Sequence, residues 1–218
     1  MEWITKQPWS NGKVALNGKS ALAINSYELI TLNPHPGVKA ISLQFGEMTG
    51  HAQWFPGGAY RLAMAEIYLG TLANSKRDKR ASEIIGSLRG NEAWGSQWNQ
   101  LDANAIGDDG MTGWERGRKA NVSGIHVAGW YDVFSDTHLE GFFQLNDTAK
   151  GATAPQWLWI VPGGHCTKSA IGWPRFALIP PELQGKTTID DAARDWIDTH
   201  NELPIDIELA TVLLFQVT

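Results

Sequence analysis

Short apolar runs alternate with amphipathic stretches along much of the chain. Apolar residues at steps of three and four predict helices at Ala21–Leu32 and Ser135–Leu145. Runs typical of buried strands cover residues 13–16, 38–45, 123–128 and 156–161. Strands separated by helical crossovers pair in parallel, with right-handed connections. The pattern therefore predicts an α/β fold: a parallel sheet with flanking helices.

The alternation is interrupted once, between residues 58 and 119. Apolar residues at helical spacing from Leu62 to Leu72 and a second helical stretch at 81–89 indicate an inserted helical lid. A β-like run near the end of the chain suggests a further, truncated β domain. The predicted organisation is a first part of the core at 1–57, the lid at 58–119, a second part of the core at 120–203 and the start of a C-terminal β domain at 204–218.

A glycine, a serine and the start of a helix follow the first apolar run. The run ends at Gly18, Ser20 comes two residues later, and the helix begins at Ala21. A strand, a tight turn with a serine at its apex and a buried helix are typical of a nucleophile elbow. Such a helix points free N–H groups and its positive dipole end at the hydroxyl. Because serine is also an ordinary helix N-cap, this stretch alone leaves both interpretations open.

Two further polar residues follow predicted strands in the same way. Asp132 comes after the strand at 123–128, and His165 comes after the strand at Gln156–Val161. In open α/β sheets, ligands bind at the carboxyl ends of the strands. The chain order serine, aspartate, histidine is that of an α/β-hydrolase triad, in which imidazole activates the serine and a carboxylate orients the imidazole. We therefore predict Ser20 as nucleophile, Asp132 as acid and His165 as base.

Each of these residues has a simpler alternative. Asp132 could only cap the helix that follows, with Asp136 as a competing acid, and His165 could be a turn residue.

The remaining histidines and the abundant tryptophans are weaker candidates. We expect His126 to be a buried, hydrogen-bonded strand residue. We expect His51, Trp54 and Trp130 to line a substrate cleft, since such clefts have aromatic walls and a few polar groups. Surface positions are expected for three histidines: His35, His138 and His200.

Composition excludes several classes of protein. With 218 residues and a net charge of −5, the chain forms one sizeable domain that does not suit nucleic acid or an anionic membrane. No run approaches the roughly 20 apolar residues of a membrane span. The single cysteine, Cys166, excludes an internal disulfide and fits a reducing compartment, so we expect a cytoplasmic protein. Since neither zinc-site spacing nor a phosphate-binding glycine loop occurs, we expect no metal and no cofactor.

Several motifs resemble the X-Pro dipeptidyl-peptidase and cocaine-esterase family of α/β-hydrolases. They are Gln-Pro-Trp-Ser-Asn-Gly-Lys-Val at 7–14, Gly-Lys-Ser at 18–20, Asn-Pro-His-Pro-Gly-Val-Lys-Ala-Ile at 33–41, Gly-Trp-Tyr-Asp at 129–132 and Gly-Gly-His at 163–165. The resemblance implies the same roles for Ser20, Asp132 and His165, and it places the helical insert where the family has its lid.

The chain departs from the family pattern in three ways. The family's elbow reads Gly-x-Ser-Tyr-x-Gly. In this chain Ala21 replaces the tyrosine and Ala23 replaces the second glycine. The family's oxyanion hole combines the backbone N–H after the serine, which the resemblance implies is that of Ala21, with a tyrosine hydroxyl. That tyrosine belongs to the family's first half-sheet, which would precede Met1. The family's C-terminal jelly roll would be reduced to a first strand near 211–217. We therefore expect a partial hydrolase sheet, completed by a second copy or by a partner chain.

Together these observations predict a serine hydrolase that cleaves a small ester or peptide amide through an acyl-enzyme. In an exopeptidase, Glu47, Glu66 or Asp108 could hold a free amine. The alternatives are a non-catalytic remnant and a binding module built on the Trp-rich segment at 91–114.

Overall fold

A sheet of five parallel strands organises the chain. The structure, a computed structural model, describes residues 1–47, 49–64, 67, 104, 106–161, 163–166 and 211–214. The strands lie in the sheet in chain order. They are β1 (Val14–Lys19), β2 (Val38–Gln44), β3 (Ser123–Gly129), β4 (Gln156–Val161) and β5 (Thr211–Leu214). The predicted parallel α/β fold is confirmed.

Five α-helices have both ends within the described residues. They are α1 (Glu2–Thr5), α2 (Ala21–Leu32), α3 (Gly50–Trp54), α4 (Gly113–Ala120) and α5 (Ser135–Leu145). Single 3₁₀ turns at Pro56–Gly58 and Thr148–Lys150 complete the elements. The helices at Ala21–Leu32 and Ser135–Leu145 begin and end where the hydrophobic pattern predicts them.

The helices α2, α4 and α5 pack beside one another against the sheet. Tyr27 and Ile30 of α2 share one buried apolar cluster with Ile41 and Leu43 of β2, and Trp114 of α4 belongs to the same cluster. Phe142 of α5 forms a second cluster with Leu158 and Ile160 of β4. This packing fixes the start of α2 relative to the start of α5, and both helix starts border the candidate site.

Two boundaries differ from the sequence prediction. β1 runs on to Lys19, so the strand leads directly into the serine. The sequence prediction assigned residues 204–218 to a separate β domain, but Thr211–Leu214 pair in parallel with β4. These four residues therefore belong to the core sheet, because an apolar Thr-Val-Leu-Leu run satisfies its backbone bonds beside a buried strand.

Other predictions about organisation stay predictions. Most of the expected lid, including the helix at 81–89, lies outside the described residues, as does Glu66. β1 is an edge strand among the described elements, and the expected pairing with a second copy or a partner chain would occur there. Among the described helices, none is both long enough and apolar enough to cross a bilayer.

Candidate active site

The three predicted catalytic residues lie at one edge of the sheet. Ser20 directly follows β1, Asp132 lies three residues beyond β3, and His165 lies four residues beyond β4. Because these strands are parallel, their carboxyl ends meet at the same edge.

The backbone reverses direction at Ser20, between β1 and α2. Ser20 has φ 56° and ψ −125°, a conformation that a non-glycine residue rarely adopts. Its N–H donates to the carbonyl of Gln44 at 2.9 Å, and its own carbonyl accepts from the Ala23 and Ile24 N–H groups at 2.9 and 3.1 Å. Gly18 allows the helix to return this close, since a Cβ there would lie 2.4 Å from the Leu22 carbonyl oxygen. We call residues 18–23 the elbow.

A continuous hydrogen-bond chain joins the three side chains. The Ser20 Oγ lies 2.8 Å from His165 Nε2, and His165 Nδ1 lies 3.0 Å from Asp132 Oδ1. An ionised carboxylate only accepts, so Nδ1 carries the proton and Nε2 is left to accept from the Ser20 hydroxyl. The Asp132 side chain is 1% exposed and that of His165 is 35% exposed. Asp132 is therefore shielded from water, while the imidazole of His165 borders the open edge.

Backbone contacts fix the loop that carries the acid against the loop that carries the base. We call residues 130–134 the acid loop and residues 163–166 the base loop. The Trp130 and Tyr131 N–H groups donate to the carbonyls of Val161 and Gly163 at 2.9 and 3.0 Å. Gly129 permits this approach, since a Cβ there would lie 2.6 Å from the Gly163 oxygen. The distance between Asp132 and His165 is thus set by main-chain bonds rather than by flexible side chains.

Two phenylalanines hold the imidazole edge-on. The ring of Phe134 lies 5.1 Å from that of His165 at 69°, and the ring of Phe45 lies 6.3 Å away at 80°. The Phe134 N–H also donates to Asp132 Oδ1 at 3.2 Å. These contacts limit rotation of the imidazole and cover part of it from solvent.

The amide of Ala21 is placed to bind a negative oxygen. Ala21 is the first residue of α2 and is exposed, and no described group accepts from its N–H. The Ser20 N–H is already bonded to Gln44, so it is not available for this purpose. A free N–H at a helix N-terminus beside a serine hydroxyl suits an oxyanion.

Neighbouring titratable groups do not compete with this hydrogen-bond chain. Asp136, the alternative acid, pairs with Arg61 at 3.4 Å and not with His165. Burial raises the pKa of the Cys166 thiol, so this neighbour of His165 stays protonated at neutral pH. No group of three potential metal ligands occurs among the described residues.

The three residues predicted to bind substrate have different environments. Trp130 is 57% exposed and stands in the acid loop, at the open edge. Trp54 is 4% exposed, so its ring packs inside the fold and offers almost no surface to a ligand. His51 lies in α3, and its side chain is outside the described residues.

The buried histidines include one that the sequence analysis placed at the surface. His126 is fully buried and hydrogen-bonded, as predicted. The prediction for His138 is wrong, since this residue is also fully buried. His138 shares the inner face of α5 with Phe142 and Leu145, four and seven residues later, and this spacing is the sequence signal for its burial. His35 is half-buried and bonded to Glu2, and His200 lies outside the described residues.

The Gly46–Ala23 contact generates a first prediction. Gly46→Ala would place a methyl group 2.6 Å from the Ala23 Cβ, and we expect it to lower the free energy of unfolding by about 1–3 kcal/mol. Adding Ala23→Gly removes the opposing methyl, so the double variant should recover part of that loss despite a cost of about 1 kcal/mol for glycine in a helix. Urea unfolding of the native chain, the two single variants and the double variant measures the coupling energy between positions 46 and 23. Strictly additive effects of the two substitutions would contradict the contact.

The buried histidines generate a second prediction, on pH. Burial lowers the pKa of His126 to about 3 and that of His138 to about 4. In the unfolded chain both pKa values return to about 6.5. Between the folded and the unfolded pKa values, the unfolded state therefore binds more protons than the folded state. The free energy of unfolding should therefore fall as the pH falls from 6.5 towards 4, by at most about 1.4 kcal/mol per pH unit for each histidine.

Urea unfolding midpoints at pH 7, 6 and 5 check this prediction. The decline should be shallower in His126→Gln, which lacks one of the two titrating groups. A midpoint of the native chain that stays constant between pH 7 and 5 would show that these histidines do not titrate on unfolding.

Comparisons with known proteins assign the family. The sequence matches the profile of the X-Pro dipeptidyl-peptidase (S15) family over residues 1–167. Two proteins named serine esterases, from Mycobacterium bovis and Mycobacterium tuberculosis, are each 31% identical to this chain over 119 residues, which are 54% of this chain and 18% of theirs. The matched region thus spans less than a fifth of these relatives.

A solved structure shows the same fold. The crystal structure of an aminopeptidase from the marine sediment archaeon Thaumarchaeota archaeon superposes with a TM-score of 0.51 at 20% identity, over 97% of this chain and 39% of that one. The family profile covers well over half of the sequence. The chain therefore belongs to the X-Pro dipeptidyl-peptidase (S15) family of serine hydrolases.

Proposed function

We propose that Ser20, His165 and Asp132 form a catalytic triad that hydrolyses a carboxylic ester through an acyl-enzyme. The observation that carries this proposal is the hydrogen-bond chain from the Ser20 hydroxyl through His165 to Asp132. Membership of a serine hydrolase family supports it. The left-handed backbone at Ser20 supports it further, because strain of this kind is typical of residues held for chemistry.

In the acylation step, the Ser20 Oγ attacks the ester carbonyl carbon while His165 Nε2 removes the hydroxyl proton. The electron pair of the carbonyl bond moves to the oxygen, which becomes an oxyanion. The proton on His165 Nδ1 stays in its bond to Asp132, and the buried carboxylate stabilises the imidazolium. When the tetrahedral intermediate collapses, the bond to the alkoxy group breaks and Nε2 gives that group its proton.

Deacylation repeats these steps with water as the nucleophile. His165 Nε2 takes a proton from the water, the hydroxide attacks the acyl carbon, and the Ser20 Oγ leaves and is reprotonated. The products are a carboxylic acid and an alcohol. In both steps the oxyanion forms beside the Ala21 N–H, and one such donor typically contributes about 10²–10³ in rate.

The described residues favour an ester over a peptide with a free amino terminus. An exopeptidase needs an acid near the nucleophile to bind the amine. Glu47 is 2% exposed, so it offers almost no surface to a substrate. Asp108 is next to Asp109, which pairs with Arg116. Arg116 also donates to the Thr31 carbonyl, so this group lies near the C-terminal end of α2. As α2 has 12 residues, Asp108 is separated from Ser20 by about 18 Å of helix.

Covalent labelling tests the nucleophile directly. Incubation with a fluorophosphonate ester should add one phosphonyl group to the native chain, because a triad-activated serine displaces fluoride. Ser20→Ala should gain no mass. Ser26→Ala is a matched control, since Ser26 lies on the same helix and, among the described residues, its hydroxyl bonds only to the Leu22 carbonyl. It should label at the native rate. A folded native chain without an adduct would support the non-catalytic alternative.

The acid is tested by a second pair of variants. Asp132→Asn keeps the shape of the side chain but removes the charge and favours the wrong imidazole tautomer, so labelling of Ser20 should slow by about 10³–10⁴-fold. Asp136→Asn alters an acid of the same α5 region that pairs with Arg61 instead, and it should change the rate less than twofold. Equal slowing in both variants would show that Asp132 is not the acid of the triad.

A further inference from the structure

A buried polar cluster lies behind the elbow. Its members are at most 2% exposed and come from α2, β3, β4 and α5: Tyr27, His126, Gln156 and His138. The rings of Tyr27, His126 and His138 are mutually 5.7 to 5.8 Å apart. Burying a polar group without a hydrogen bond is costly, so most buried polar side chains are hydrogen-bonded. The hydrogen bonds of each member of this cluster therefore indicate its role.

Three of the four residues form a complete chain. The Gln156 amide nitrogen donates to the Val122 carbonyl at 2.8 Å, which turns its oxygen towards His126 Nε2 at 2.9 Å. His126 Nε2 therefore carries the proton, and His126 Nδ1 accepts from the Tyr27 hydroxyl at 2.7 Å. Both nitrogens of His126 are satisfied, and the chain ties α2 to β3 and β4.

His138 has a different arrangement. Its Nδ1 lies 2.8 Å from the Gly46 carbonyl oxygen and 3.2 Å from the Gly46 nitrogen, while its buried Nε2 has no hydrogen-bond partner among the described residues. Burial keeps this imidazole neutral, and the shorter of the two contacts assigns its single N–H to the Gly46 carbonyl, which leaves Nε2 as an acceptor. A hydrophobic side chain of similar size would bury no such acceptor. The contribution specific to His138 is thus its bond to Gly46.

Gly46 connects this bond to the nucleophile. A Cβ on Gly46 would lie 2.6 Å from the Ala23 Cβ and 3.3 Å from the Ile24 nitrogen, so the two segments are in close contact. The N–H groups of Ala23 and Ile24 hold the Ser20 carbonyl. A shift of Gly46 towards α2 would therefore press on the segment that holds the Ser20 carbonyl.

The same histidine is fixed relative to the acid. His138 donates its backbone N–H to the Phe134 carbonyl at 2.8 Å, at the end of the acid loop. Asp132 is close enough that its charge raises the pKa of His138 against the larger effect of burial. His138 is therefore anchored to the acid loop through its backbone and to the elbow through its ring.

We propose that His138 is a positioning residue that sets the alignment of Ser20 with His165 and Asp132 by holding Gly46 against the elbow. This role rests on the proposed triad, and it extends that triad with a residue that touches neither the substrate nor the reacting atoms. Its effect on the nucleophile passes through Gly46 and Ala23.

Two substitutions separate the N–H of His138 from its bulk. In His138→Asn the amide nitrogen occupies the place of Nδ1, so the bond to Gly46 is kept. In His138→Gln the amide nitrogen reaches the place of Nε2, so that bond is lost while an amide is still present. We expect Ser20 of the Gln variant to react with the fluorophosphonate about 10- to 100-fold more slowly than Ser20 of the Asn variant, as for a misplaced reacting group.

Phe142→Leu is the control for loss of packing. Phe142 lies one turn later on α5, is 1% exposed and contacts Leu158 and Ile160. Its urea midpoint should fall at least as far as that of His138→Gln, while its labelling rate stays within threefold of the native rate. Equal labelling of the Asn and Gln variants, or equal slowing in Phe142→Leu, would overturn the positioning role.

A spectroscopic measurement tests the proposal independently of reactivity. The proton on His165 Nδ1, held by Asp132, should give a resonance far downfield in the native chain. This resonance should persist in His138→Asn and should shift or broaden in His138→Gln. An unchanged resonance in the Gln variant would contradict the proposal. The two proposals can fail separately. If the native chain does not label but the resonance behaves as expected in both variants, the proposed hydrolase function is wrong and the positioning role of His138 still stands.

Discussion

The reversal of the backbone at Ser20 is the constraint on which the rest of the site depends. A non-glycine residue at positive φ costs of the order of 1–3 kcal/mol, so surrounding contacts must offset it. Gly18 removes a Cβ from the path of the helix, Gln44 accepts the Ser20 N–H, and α2 donates to the Ser20 carbonyl. The tight turn leaves the hydroxyl and the Ala21 N–H together at the exposed end of the helix.

Asp132 and His165 are positioned by the sheet in a different way. Neither needs strain, because β3 and β4 are neighbours and their following loops bond to each other through Trp130 and Tyr131. The loops that carry Asp132 and His165 therefore form one rigid unit, and the elbow that carries Ser20 forms another. The two units meet at the 2.8 Å contact between Ser20 and His165, and the ring of Phe45 at the end of β2 packs against that imidazole.

Local features of the sequence were enough to predict the sheet and the three polar residues at its edge. Each of Ser20, Asp132 and His165 comes within a few residues of the end of an apolar run, and parallel pairing brings the ends of such runs together whatever the details of packing. The burial of His138 was missed because histidine is usually polar surface, although its spacing to Phe142 follows the apolar face of α5. The burial of Trp54 and the pairing of Thr211–Leu214 with β4 depend on partners distant in sequence, which periodicity does not reveal. The contact of Gly46 with Ala23 is of the same kind, since neither residue identifies the other in the sequence.

A crystal structure of the chain after reaction with a phosphonate ester would test the central claim most directly. The account predicts phosphorus bonded to the Ser20 Oγ, with the phosphonyl oxygen about 2.7–3.1 Å from the Ala21 N–H nitrogen and His165 Nε2 facing the departed group. Phosphorus on another residue, or a phosphonyl oxygen turned away from Ala21 towards solvent, would contradict it.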